Sequence, residues 1–128
     1  MILRRIGDLD GALRLNREQE SICRRLNDLA GLSGTLGNQA VILMKTADLA
    51  GAMLLLKEQE AICRRLNDPN GLATSLYNQA GILAFNRSRP AEGLPLAEEA
   101  LRLATQHGLI TLGRQIEPIV NKIRGLLK

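Results

Sequence analysis

Residues 7–46 and 47–86 align without a gap, and 23 of those 40 positions are identical. A fixed period of this length constrains the fold more than any figure of composition. A unit of this size cannot bury its own apolar face, so neighbouring copies must cover it for one another. The architecture implied is a stack of repeats, and such stacks present extended binding surfaces rather than closed reaction pockets.

Within the period the apolar spacing is helical. Leu9, Ala12, Leu13, Ile22, Cys23 and Leu26 recur mostly three or four residues apart over 8–26, one face of a helix. Arg14, Arg17, Glu18, Arg24 and Arg25 fill the other positions, as on an outer helix with a solvated side. Asp28 has the chemistry of an N-cap, and its counterpart Asp68 precedes Pro69, which suits a first helical turn. A second helix over about 30–45 carries Leu32, Leu36, Ala40, Leu43 and Met44 and little charge. It is expected to be the more enclosed of the two, with Gly31, Gly34 and Gly37 allowing a neighbouring helix to come close.

The pattern returns as an outer helix at 48–66 and an inner helix at 69–85. Arg87-Ser88-Arg89-Pro90 then adds one residue to the period and makes the turn, with Pro90 near a helix start. A third outer helix follows over 91–105, with Pro95 in or near its first turn and Gly108 as its stop. Leu112, Ile116, Ile119 and Ile123 mark a last helix over 109–127, basic at its end and open to a kink at Pro118. The expectation is an all-α chain of six antiparallel helices.

The stretches CRRLNDLAGLSGTLGNQAVIL and CRRLNDPNGLATSLYNQAGIL, each followed by a short turn and an Ala-Leu or Ala-Met helix, resemble tetratricopeptide repeats. The likeness is to the forty-residue variety of kinesin light chains and G-protein-signalling adaptors. It covers 7–86 well and 87–128 loosely, as a degenerate repeat with a C-terminal capping helix. The family's Asn-Leu-Gly slot holds Asn38-Gln39-Ala40 and Asn78-Gln79-Ala80, and its small residue falls at Ala12, Ala52 and Gly93. Two departures matter. Leucines replace the usual aromatics, implying an aliphatic core, and Gln39 and Gln79 stand near a packed interface where their amides need partners. The resemblance implies one solenoid domain over 1–128, wound as a right-handed αα-superhelix.

It also implies a function. In this family the inner helices line a groove that holds an extended peptide or a partner's helix. By position the lining here is Asn38, Val41 and Lys45 in one repeat, and Thr74, Tyr77, Asn78, Gly81 and Phe85 in the next. A primary amide both donates and accepts, so Asn38 and Asn78 can pair with a ligand's main chain; equally, they can bond within the stack. Tyr77 and Phe85, the only aromatics, are either groove contacts or core and edge residues. Arg24-Arg25 and Arg64-Arg65 oppose the helix dipole at the ends of the outer helices, or else form a stripe for an acidic partner. Glu18, Glu20, Glu58 and Glu60 stand at distances that let them pair with arginines on their own helices.

Other classes of function find little support. The net charge of +4 is spread among interspersed acids and bases, and two aromatics make no base-stacking platform, which argues against nucleic acid. One histidine and no glycine-rich phosphate loop argue against an enzyme, and no cofactor or metal site is expected. Cys23 and Cys63, a full repeat apart, read as small buried hydrophobes and not as a disulfide. There is no signal peptide and no membrane-spanning run, so the expected compartment is the cytoplasm.

The opening MILRRI matches the ends of inner helices, ILMKT and ILAFN, so the outer helix after it lacks an inner partner. That motivates an expected self-association through Ile2, Leu3, Ile6, Leu9 and Leu13. A structural repeat that assembles with itself, with no specific ligand, is the alternative to an adaptor.

Overall fold

The computed structural model describes residues 2–128, with side chains from residue 7 onward. Ile2, Leu3 and Ile6 of the expected self-association surface therefore lie outside the described side chains. The described chain is all-α, with six helices in sequence: α1 (Ile2–Leu26), α2 (Leu29–Lys45), α3 (Leu49–Leu66), α4 (Pro69–Gly81), α5 (Pro90–Gln106) and α6 (Ile110–Leu126). A π-helical segment, Ile82–Asn86, extends α4. None of the described helices is long and apolar enough to cross a membrane.

The turns between helices share one design. Asn27, Ala47, Asn67, Ser88 and Gly108 all adopt the left-handed conformation, with φ between 53° and 66°. They recur every twenty residues, except that Ser88 follows Asn67 by twenty-one. In each of the first three turns the next residue is an aspartate with two tasks. The N–H groups of Asp28, Asp48 and Asp68 donate to the carbonyls of Cys23, Leu43 and Cys63 at 2.8–3.0 Å, closing the finished helix as a Schellman motif does. Their carboxylates then accept from the N–H groups of Gly31, Gly51 and Gly71 at 2.9–3.1 Å, capping the helix to come. One residue thus satisfies orphan groups of two helices.

The fourth turn differs, and it locates the extra residue of the period. The Arg89 N–H donates to Leu83, six residues back instead of five, at 2.7 Å. A π segment is an α-helix carrying one surplus residue. The insertion therefore sits inside the end of the helix at Ile82–Asn86, and not in Arg87–Pro90 where the sequence placed it. Pro90 is the first residue of α5, as its fixed φ favours. Pro95 is the sixth residue, just past the first turn, so the Ala91 carbonyl loses its helical partner at an exposed position.

The chain divides into two compact units, Met1–Ile62 and Cys63–Lys128. In the first, Leu32 and Leu36 of α2 and Ile62 of α3 form a core flanked by Cys23, Leu29 and Leu55. Eight residues of α2 are buried, which makes it the enclosed helix the low charge implied. Of the three glycines expected to admit a neighbour, Gly37 does so most plainly: a Cβ there would stand 2.5 Å from Nε2 of Gln59 on α3. A Cβ on Gly31 would stand 2.9 Å from the Cys23 sulfur of α1, whereas Gly34 has nothing within 4 Å. Arg24 reaches Glu20 on its own helix and Glu58 on α3, each at 2.9 Å.

In the second unit, α4 and its π extension pack on α5, and α5 on α6. Leu72, Leu76, Ala80 and Ala84 meet Ala97, Ala100 and Ala104, which in turn meet Ile116, Val120 and Ile123. The small residues of α5 let the leucines and isoleucines on either side fill the space, so the core is aliphatic as the missing aromatics implied. Arg64 makes a bidentate pair with Glu99 of α5 at 3.0 and 3.1 Å. Counted by forty from the Arg24–Glu58 pair, the partner would be Glu98; the inserted residue moves it to Glu99. Glu98 instead accepts from Arg124 of α6 at 2.8 Å.

Candidate functional site

In the first unit, the exposed face of α2 is set by two partly buried hydrogen bonds on its other side. The Thr35 hydroxyl donates to the Asn16 carbonyl at 2.7 Å, and the Gln39 amide donates to the Glu20 carboxylate at 2.9 Å. Both partners lie on α1, so the rotation of α2 is fixed. Burial acts to raise the Glu20 pKa, but donation from Gln39 and Arg24, with Arg17 nearby, outweighs it and holds the carboxyl below its ordinary value. Arg24 is held above its own ordinary value by its bonds to Glu20 and Glu58. With α2 so oriented, Asn38, Val41 and Lys45 emerge together into solvent. The Asn38 amide has no hydrogen-bond partner among the described residues.

In the second unit, Gln79 is the buried amide, and its Nε2 donates to the Ser75 hydroxyl at 3.2 Å. Asn78 beside it is half-buried, and its amide has no hydrogen-bond partner among the described residues. Gly81 is open, with nothing within 4 Å of a would-be Cβ. The Thr74 hydroxyl is spent on the Asn70 carbonyl at 2.8 Å, so it offers a ligand less than the sequence implied. Tyr77 packs against the core of this unit and is an edge residue. Phe85 is 38% exposed, with the Lys122 ammonium 5.2 Å from its ring centroid, a cation–π contact.

Lys122 is the residue that sequence reasoning missed, having been counted only with the basic end. The register held the signal: forty residues plus the inserted one, counted from Gly81, lead to Lys122. Asn38 is exposed on α2 in the first unit, and Asn78 is half-buried on α4 in the second.

The arginine pairs stand in the last turns of α1 and α3, where they oppose the helix dipole as expected, and Arg24 and Arg64 have a second task. Arg24 ties α1 to α3 through Glu58, Arg64 ties α3 to α5 through Glu99, and Glu20 pairs along its own helix as expected. Leu9 and Leu13 are half-buried, whereas Leu15, Ile22 and Leu26 of the same helix are exposed. Cys23 and Cys63 form no disulfide; Cys63 is fully buried as expected, whereas Cys23 is only partly buried.

An open cleft of about 590 Å³ in the second unit is lined by Cys63, Asp68, Pro69, Leu72, Leu103 and His107, among others. Its groups already serve the fold: Asp68 caps α4, and the Cys63 sulfur contacts the Asp68 carboxylate at 4.0 Å. Among the described residues no three His, Cys, Asp or Glu side chains gather as metal ligands. No protein-family model matches the chain, and no curated protein is significantly similar to it.

Proposed function

We propose that this chain is a protein-interaction module of tetratricopeptide type, wound as a right-handed superhelix, whose inner helices take an extended peptide or a partner's helix. The observation that carries this reading is the contrast within each Asn-Gln pair. Gln39 and Gln79 are buried and bonded to Glu20 and Ser75. Asn38 and Asn78, one position earlier, have the same chemistry and no partner among the described residues. The glutamines serve the stack; the asparagines remain for a ligand's N–H and C=O groups. Val41 in the first unit, and Phe85 with Lys122 in the second, add apolar and cationic surface that varies from repeat to repeat, as a specificity surface would. The module acts without a cofactor, and in a reducing compartment such as the cytoplasm its two thiols stay free.

Peptides selected from a random library on the wild-type chain test this directly. The reading expects their binding to weaken on Asn38→Ala and Asn78→Ala while helicity and melting temperature stay unchanged. Selected peptides that bind the double variant as tightly as wild type would overturn it.

A further inference from the structure

One side of α1 is uncovered in the first unit. Leu15, Ile22 and Leu26 are 63%, 45% and 72% exposed, and spacings of seven and four place them on one helical stripe. The repeat shows what such positions do when covered. Forty residues later, Leu55 and Ile62 belong with Leu32 and Leu36 in the core of the same unit. Leu15 and Ile22 therefore hold positions that this repeat buries against another helix. Exposed apolar stripes of this kind mark contact surfaces.

At the far end of the chain Ile110, Leu126 and Leu127 are exposed, but the positions that would receive Ile22 do not match it. Counted eighty-one residues on, the counterparts of Leu32 and Leu36 are Gly113 and Glu117. Glu117 is exposed, as are Arg114 and Asn121 on the same helix. Seating Ile22 there would bury a carboxylate without a partner, which opposes head-to-tail stacking.

The edge of the α1 stripe offers a better match. Glu18 and Arg25 flank it on one side, and neither has an ion-pair partner among the described residues. A second α1 laid antiparallel, about a two-fold axis near the middle of the stripe, brings Leu15 to the partner's Leu26. The same register brings Glu18 to the partner's Arg25, twice by symmetry. The stripe and its charged edge are self-complementary.

We propose that α1 is a self-association surface whose occupant is α1 of a second copy, antiparallel to the first. The inference is independent of the groove reading and moves the expected contact from Leu9 and Leu13 to the exposed stripe. Three large side chains make a small interface, so the dimer is weak, with a dissociation constant on the order of tens of micromolar.

Sedimentation velocity on the full chain, over a hundredfold range of concentration, tests it. The weight should rise reversibly from the 14.0 kDa of one copy to twice that and no further. Leu26→Glu, at a solvent-exposed position, should give a monomer at every concentration with unchanged circular dichroism. Glu18→Arg and Arg25→Glu should each weaken the dimer at least several-fold, and the two together should restore it. A monomer throughout, growth beyond a dimer, a dimer indifferent to Leu26→Glu, or a double charge swap that fails to restore association would each overturn the proposal.

Discussion

Gly93 of α5 lies against the backbone of Ala80: a Cβ on residue 93 would stand 2.9 Å from the Ala80 carbonyl oxygen and 3.2 Å from the Ala84 Cβ. Backbone cannot step aside as a side-chain tip can, so α5 must move if this residue grows. Gly93→Ala is expected to destabilise the protein by about 1–3 kcal/mol, the usual cost of overpacking. Gly34→Ala is the control, because that glycine lies inside α2 with nothing within 4 Å. There the added helix propensity should stabilise by about 0.5–1 kcal/mol. Urea unfolding of both variants measures the opposite signs.

Ala47 sits between α2 and α3 with φ of 65°. Left-handed backbone costs an L-residue with a Cβ about 1–2 kcal/mol, and alanine has no side-chain polar group to offset it. Asn27 and Asn67 occupy the same place in neighbouring turns, and asparagine tolerates that region better. Ala47→Gly is therefore expected to stabilise by about 0.5–1 kcal/mol after glycine's greater unfolded-state freedom is subtracted. Thermal melts should show a higher midpoint than wild type.

Glu20 gives the fold a dependence on acid. Its carboxyl is held below the ordinary value in the folded chain by Gln39 and Arg24, against the opposing effect of burial. A depressed folded pKa means a contribution fully present above the unfolded value, about 4.3. That contribution is lost as pH falls through the folded value. Glu20→Gln should cost about 1 kcal/mol or less at neutral pH, since Arg24 is half exposed. The difference from wild type should shrink steadily in denaturant titrations below about pH 4.

Local chemistry was legible in the sequence. The helix limits follow from Asp28 and Asp68 as caps, Pro69 and Pro90 as first residues, and Gly108 with its φ of 66°. Each signal acts within a few residues, so one chain carries it. A shorter period was also present and went unread: Asp8, Asp28, Asp48 and Asp68 recur every twenty residues, as do Gln19, Gln39, Gln59 and Gln79. It is masked because alternate helices put different residues between those marks. The contacts of Arg24 with Glu58 and of Arg64 with Glu99 were not legible, because same-helix spacing offered nearer acids and the choice depends on how helices lie side by side. The π segment was hidden for a similar reason: a surplus residue in the period does not announce whether helix or turn absorbs it. In the site, the fates of Thr74 and Tyr77 turned on rotamer and packing, while the division of labour between Gln39 and Asn38 required knowing which side of α2 faces α1.

The central claim is that the Asn38 and Asn78 amides are ligand-binding groups. Amide-resolved NMR of the full chain, titrated with a library-selected peptide, tests it most directly. The side-chain NH₂ resonances of Asn38 and Asn78 should shift on binding while those of buried Gln39 and Gln79 hold still. Asn38→Ala with Asn78→Ala should weaken the peptide about tenfold or more, as loss of two hydrogen bonds of about 1 kcal/mol each implies. Saturating peptide that leaves both asparagine resonances unmoved, with the double variant binding as tightly as wild type, would contradict the account.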